Sequence, residues 1–376
     1  MAQKTRVGVI GAGTISSAYL RLAKGFGAIE IVAIADLNPA SAAAKATEFG
    51  IKALSVADLL ADPTIEIVVN LTIPAAHYAV TRQILSAGKH VYTEKPLVLS
   101  MREGRALKKL ADSKGLKVAS APDTFLGGAH QTARRLIDEG KVGKILSGSA
   151  AVMGFGMEHW HPNPDFYFKP GGGPVLDMGP YYLHNLINLI GPVSRVAALS
   201  GKGKPIRTIS SQPRAGETIL VETPTTYLAL LEFESGAQVT LSASWDVWAH
   251  RHNHMELYGE AGSLYVPDPN FFGGDVLVTD RNGPAVAADH EGHPLSVDNE
   301  THPGGKRANY RTAGLADLAI ALREGRDARC SMDLALHAVD VMTSIMRSGE
   351  TGRFVALSTT CKRPAALGVA EAKSML

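Results

Sequence analysis

The run Arg6-Val7-Gly8-Val9-Ile10 passes directly into Gly11-Ala12-Gly13-Thr14-Ile15-Ser16, and apolar positions at Tyr19, Leu20 and Leu22 follow with helical spacing. A buried-strand run that feeds a glycine turn and then a helix admits few folds. Gly11 permits the tight turn, and Gly13 lets the backbone approach a pyrophosphate. The helix start supplies N–H groups and positive potential, with Thr14 and Ile15 on the loop. Ser16, where the fingerprint has its third glycine, is small enough for close helix-sheet packing. About twenty residues on, the strand Glu30-Ile31-Val32-Ala33-Ile34-Ala35 stops at Asp36, whose carboxylate suits adenosine ribose hydroxyls and repels a 2′-phosphate. No arginine follows Asp36, so the expected cofactor is NAD rather than NADP.

The alternation continues. Ile65 to Asn70 reads as a strand, then come Thr72-Ile73-Pro74 and a helix from about Ala75 to Ser86. His90 to Thr93 is a further strand, followed by a helix from Ser100 to about Ser113 and the strand Leu116 to Ser120. Strands alternating with helices imply right-handed crossovers and a doubly wound parallel sheet of the Rossmann type.

From about Gly143 the texture changes. Lys144 to Val152, Ser194 to Leu199, Thr225 to Phe233, Ala237 to Ser244, His252 to Tyr258 and Ser263 to Val266 are strand candidates with short connections. Short connections predict antiparallel pairing. Two late helices are expected near Lys306 to Arg323 and Asp333 to Ser348, a long loop or hairpin insertion at Gly274 to Gly305, and a loose tail from Lys362 to Leu376. The fold class is therefore α/β, with an N-terminal Rossmann sheet plus a C-terminal α+β domain built on a large, mostly antiparallel open sheet. The expected partition is 1–124 for cofactor binding, 125–360 for substrate binding and oligomerisation, and 361–376 as tail. Helices on one face of the second sheet leave the other to bury, which predicts a homodimer or homotetramer.

Composition excludes several classes. A formal net charge of +2 over 376 residues, with no block of like charge, provides no field for nucleic acid or an anionic membrane. The two cysteines, Cys330 and Cys361, form neither a disulfide framework nor a cysteine-rich zinc site. Met1-Ala2-Gln3-Lys4-Thr5-Arg6 leads straight into the first strand with no apolar signal region, so a cytoplasmic location is expected.

Two segments carry candidate chemistry. Lys95, between Glu94 and Pro96, closes the His90–Thr93 strand at the carboxyl end of the sheet, where ligands of such sheets bind. Near a cationic nicotinamide its ammonium form would be disfavoured, and it could exchange a proton with a substrate hydroxyl. The second is Gly171-Gly172-Gly173-Pro174-Val175-Leu176-Asp177, which leads into a helix with Tyr181 and His184 four and seven residues beyond Asp177, spaced for one side. His159-Trp160-His161 could line a sugar site, as aromatic faces stack on pyranose rings, and Asp123 follows the last Rossmann strand as a further substrate candidate. His250, His252 and His254 alternate, but no carboxylate or cysteine sits at a matching spacing and no metal is expected.

These residues resemble the Gfo/Idh/MocA oxidoreductases, which include glucose-fructose oxidoreductase and inositol dehydrogenase. The resemblance is carried by Gly11-Ala12-Gly13, Asp36, Pro74 with His77, Glu94-Lys95-Pro96, and Gly171-Gly172-Gly173 leading to Asp177-x-Gly179. It implies NAD(P)-linked hydride transfer to or from a carbon bearing a hydroxyl or carbonyl, usually on a sugar or cyclitol. It further implies cofactor contacts from Thr72, Pro74, His77, Glu94 and Lys95, a role for Lys95 at the substrate hydroxyl, and a cis Lys95-Pro96 bond. Many relatives read Asp-x-Gly-x-His-x-x-Asp, whereas here Tyr181 holds the histidine place and His184 that of the second aspartate. Tyr181 is thus expected to be the proton donor or acceptor, with Lys95 polarising the same oxygen, Asp177 orienting the pair and His184 contacting a substrate hydroxyl. The exchange leaves open whether Tyr181 or His184 transfers the proton. Two other readings fit the same scaffold: a glycosidase that oxidises transiently and eliminates, and a non-catalytic sugar or nucleotide sensor.

Overall fold

The structure, a computed structural model, describes residues 4–280, 283–302 and 304–376. Met1 to Gln3 of the expected signal-free start, and residues 281, 282 and 303 of the expected insertion, lie outside the described residues. Contacts divide the chain into two units: unit 1 takes 1–128, 291–336 and 364–376, and unit 2 takes 129–290 and 337–363.

Unit 1 is built on six parallel strands: β1 (Thr5–Ile10), β2 (Ile29–Ala35), β3 (Lys52–Ala53), β4 (Ile67–Asn70), β5 (His90–Thr93) and β6 (Val118–Ser120), ordered β3-β2-β1-β4-β5-β6. The apolar runs follow from burial on both faces: Val7, Val9, Val68 and Val69 are fully covered. Helices α1 (Ser16–Leu22), α2 (Pro39–Phe49), α3 (Val56–Ala61), α4 (Pro74–Ser86) and α5 (Met101–Lys114) connect the strands. Their ends are set locally. Asn38 and Ser100 accept backbone N–H groups at the starts of α2 and α5, and Gly50 and Gly115 close them at φ 71° and 65°. From β1 the chain winds outward to β3 and then, from β4, the other way, so the strand order reverses between β1 and β4. Open parallel sheets bind ligands beyond the carboxyl ends of their strands at such a point.

Unit 1 is completed by later segments, unlike the continuous partition expected from the sequence. Helix Val369–Met375 buries Ala372 and Met375, and the Arg329 guanidinium bonds to the Ala365 and Ala366 carbonyls and to Glu371. The end of the chain is therefore a packed element rather than the loose tail expected from Lys362. The helix expected from Lys306 begins at Ala313, because Gly305–Arg307 pairs with Glu300–His302 as a hairpin.

In unit 2, helix α6 (Gly128–Asp138) leads to β7 (Ile145–Met153), the short helix α7 (Pro174–Asp177), helix α8 (Gly179–Ile190) and β8 (Val193–Gly201). The hairpin β9 (Ile206–Thr208) and β10 (Thr218–Leu220) stands apart from the main sheet. The chain returns to it through β11 (Thr226–Phe233), β12 (Gln238–Ser244), β13 (Met255–Gly259), β14 (Gly262–Val266), β15 (Leu277–Asp280) and β16 (Val286–Ala287). These strands, with Val355–Ala356, form a nine-stranded sheet ordered β16-β15-β14-β13-β7-β12-β11-β8 and then Val355–Ala356. Pairing is antiparallel except between β7 and β12, so the sheet is mixed. Alternation along β11 buries Tyr227, Ala229, Leu231 and Phe233 and leaves Leu228 and Leu230 exposed, with Leu199 exposed opposite Leu228. One face of this sheet thus carries uncovered leucines.

Candidate active site

The loop after β1 is held open by its own sequence. Gly11 lies at φ 112°, and a Cβ there would meet the Leu71 carbonyl carbon and oxygen at 2.7 Å. A Cβ on Gly13 would meet nothing within 4 Å, and Gly13, Thr14 and Ile15 are exposed. Ser16 is buried and donates its hydroxyl to the Gly13 carbonyl at 2.7 Å, which fixes the start of α1. Asp36, at the end of β2, accepts the Ala12 N–H at 2.7 Å and the Asn38 N–H at 2.8 Å. The carboxylate therefore fixes the loop while retaining lone pairs for further donors.

Beyond β4 and β5 a second set of contacts orders the Lys95 segment. Thr72 donates its hydroxyl to Asn70 Oδ1 at 2.6 Å, and Pro74 opens α4. His77, wholly buried on α4, lies 2.7 Å from the Pro96 carbonyl through Nδ1 and 2.9 Å from the Thr72 carbonyl through Nε2. Burial pulls its pKa below the ordinary value against the opposing pull of the two carbonyls. A neutral ring donates to only one of them, and either way the imidazole ties the loop after β4 to the segment after β5. The Lys95-Pro96 bond is cis. Lys95 is half-buried, and its backbone N–H reaches Glu94 Oε2 at 2.9 Å. Glu94 Oε1 accepts the buried Tyr19 hydroxyl at 2.8 Å.

Asp123, expected as a substrate contact, is buried and turned to another task. Its Oδ2 accepts the Thr312 and Gly314 N–H groups, both at 2.9 Å, at the start of helix Ala313–Glu324. Burial raises its carboxyl to about 6 against those two bonds.

The acid and phenol belong to unit 2. Gly172 leaves no room for a side chain, since a Cβ would lie 2.4 Å from the Tyr167 carbonyl oxygen, and Gly173 takes φ 94° ahead of Pro174. Asp177 ends α7, and Pro180 falls in the first turn of α8, where its missing N–H costs nothing. Asp177 is half-buried and Tyr181 is 9% exposed. His184 is 3% exposed, with Nδ1 2.8 Å from the Pro180 carbonyl of its own helix. Burial, reinforced by His337, lowers its pKa to about 4, so at neutral pH it is an uncharged core residue.

The residues expected to line a sugar site divide. His161 feels the Asp177 charge and packs edge-on against Trp160, Phe166 and Tyr167, whereas exposed His159 stacks on Phe155 at 4.0 Å. The strand expected from His252 to Tyr258 does not include the alternating histidines. β13 starts only at Met255, and His254 bonds instead to the Tyr182 hydroxyl at 2.9 Å. Among the described residues no three His, Cys, Asp or Glu side chains are grouped to hold a metal ion.

Sequence reasoning missed two exposed apolar side chains just past the strands that flank β1. Leu37, after β2, is 96% exposed, and Ile73, after β4, is 70% exposed. Large apolar residues just past the ends of the strands that flank β1 were the available signal.

Residues 5–121 match the sequence profile of the oxidoreductase family described as having an NAD-binding Rossmann fold, and residues 130–265 match the GFO/IDH/MocA C-terminal domain. The chain is 34% identical over 144 residues to an uncharacterized oxidoreductase of Schizosaccharomyces pombe, covering 38% of each chain. It is 26% identical over 269 residues to scyllo-inositol 2-dehydrogenase (NAD(+)) of Bacillus subtilis, covering 71% of this chain and 75% of that one. The matches to the two oxidoreductases of S. pombe span only 38% and 40% of their lengths. Among solved structures, levoglucosan dehydrogenase shares the fold with a TM-score of 0.81 over 96% of this chain and 100% of that chain, at 22% identity. Among the described residues no helix is long and apolar enough to cross a membrane.

Proposed function

The chain belongs to the Gfo/Idh/MocA family of oxidoreductases, and on that premise we propose that it is an NAD-dependent dehydrogenase or reductase acting on a CH–OH group of a sugar, sugar derivative or cyclitol. The observation that carries the reading is Asp36, whose carboxylate holds the glycine loop at Ala12 and faces the position of the adenosine ribose in this fold. The loop fits the cofactor: Gly13 has open space above it, and exposed Leu37 and Ile73 offer apolar surface for the adenine. A nicotinamide cofactor held by the Gly11–Gly13 loop and Asp36 would supply hydride transfer to or from the substrate carbon.

The protein's own groups handle the proton. Tyr181 holds or releases it at the substrate oxygen, and the Lys95 ammonium polarises that oxygen and favours its anionic form. Asp177 orients the phenol. His184, uncharged and packed against its own helix, supports α8 rather than transferring the proton. His77 positions Lys95 through the Pro96 carbonyl, and Thr72 and Pro74 shape the same rim. The exposed leucines of β8 and β11 supply a self-association face for a homodimer or homotetramer, and Cys330 is buried outside any disulfide, as suits a reducing cytoplasm.

The test is an NAD and NADP reduction screen across sugars, sugar acids and cyclitols, with Lys95→Ala as control. Turnover of at least one substrate with NAD, lowered by roughly a hundredfold or more in Lys95→Ala, is the expected result. Full activity in that variant would remove Lys95 from the chemistry. Release of an aglycone with no net NADH would identify an eliminating glycosidase, and binding without turnover would identify a sensor.

A further inference from the structure

Unit 2 contains a cavity of about 440 Å³ lined by the loop after β7, the start of the β9–β10 hairpin and the residues after β12. One wall is a stack of three rings. Phe155 lies against Trp248 at 4.9 Å and 13°, and against His159 at 4.0 Å and 30°. Phe155 occupies one face of the Trp248 indole, yet the residue is 77% exposed. An indole braced from behind and open in front matches the C–H face of a sugar ring.

The opposite chemistry lies beside it. Arg207 is buried and donates to the Phe155 and Trp245 carbonyls, to Glu158 Oε1 at 2.8 Å and to Asp246. Even so, Arg207 Nε and Glu158 Oε2 are buried and have no hydrogen-bond partner among the described residues. A buried donor and a buried acceptor left over on two residues lining one cavity are a standing cost to the fold. Neither atom has surface open to the cavity, so a ligand there meets instead the exposed Lys204, Thr208 and Ser210 and the part-exposed Asp246 of the lining. The formal charges of Arg207 and Lys204 balance those of Glu158 and Asp246, so the lining favours neither an anion nor a cation.

We propose that this cavity is an accessory binding site for an uncharged pyranose ring, which stacks on Trp248 and presents its hydroxyls to Lys204, Thr208, Ser210 and Asp246. Only the choice of carbohydrate rests on the function proposed above. The cavity lies wholly within unit 2, and ligand binding there needs no nicotinamide cofactor.

Calorimetric titration of the full chain without NAD tests the site, with methyl β-D-glucopyranoside and cellobiose as uncharged probes and glucuronate as the charged one. The expected result is saturable binding of an uncharged probe in the millimolar range, weakened about tenfold or more in Trp248→Ala and largely retained in Trp248→Tyr. NADH binding, read by fluorescence, should be unchanged in both variants. The proposal is overturned if neither uncharged probe binds, if Trp248→Ala binds as tightly as the parent, or if glucuronate binds equally well. A Trp248→Ala variant that changes oligomeric state without any sugar binding would also overturn it, by making this face a protein contact. Trp248-dependent binding with no redox turnover would keep the cavity and remove the dehydrogenase reading; turnover without Trp248-dependent binding would do the reverse.

Discussion

The Tyr19 hydroxyl donates to Glu94 Oε1 at 2.8 Å, joining the helix of the glycine loop to the residue before Lys95. Burial, aided by the Glu94 charge, pushes the Tyr19 pKa well above its ordinary value, so the group stays a donor. The other Glu94 oxygen takes the Lys95 N–H. Cofactor loop and lysine are thereby referred to one carboxylate. In Tyr19→Phe, stability should fall by about 1–2 kcal/mol in urea titration. Loosened placement of Lys95 should lower kcat roughly threefold to tenfold. Unchanged kcat would separate this link from the chemistry.

Asp36 should set cofactor choice. Asp36→Ala removes the acceptor for the Ala12 N–H and the repulsion toward a 2′-phosphate. NADH affinity is expected to drop roughly tenfold while that for NADPH holds or improves. Fluorescence titration with both cofactors measures the ratio, and an unaltered ratio would assign discrimination elsewhere.

Unit 2 should be sensitive to acid. Burial lowers the pKa values of His130 and His184 to about 4, below the unfolded-state value near 6.5. The unfolded chain therefore binds more protons between those values, so the stability these residues contribute is present above pH 6.5 and is lost as pH falls toward 4. The loss approaches about 3 kcal/mol per residue at the acid limit. Urea titrations at pH 7, 5.5 and 4.5 should show the decline, and His184→Gln should flatten it. A profile identical to the parent would mean that His184 is hydrated and titrates normally.

Self-association should depend on the open sheet face. Leu228→Glu with Leu230→Glu places two carboxylates among exposed leucines without touching the buried side of β11. Sedimentation is expected to show monomers with the unfolding midpoint little changed. Oligomers that survive both substitutions would place the contact elsewhere.

The elements that the sequence revealed are those whose signals are local. Val7 and Val9 mark a strand buried on both faces, the turn at Gly11 follows at once, and Asp36 ends the next run, so periodicity and spacing suffice. Pro180 likewise marks the start of α8. Features made by distant partners were not legible. His254 reads as part of a strand until Tyr182, 72 residues away, takes its Nδ1. Arg207 meets Glu158 across 49 residues, a pairing that no window of sequence contains. His184 fits a site by its spacing, but only packing shows it to be enclosed. Asp123 is similar: its place after β6 suggested a ligand, while its partners lie at Thr312 and Gly314.

The clamp of Arg329 on Glu371 and the Ala365 and Ala366 carbonyls has a consequence for synthesis. The six parallel strands emerge from the ribosome early, yet the helix that packs with their unit follows unit 2 in the chain. Unit 1 must therefore wait without its later segments while unit 2 is made, and the surface those segments cover stays open to chaperones and proteases during that interval.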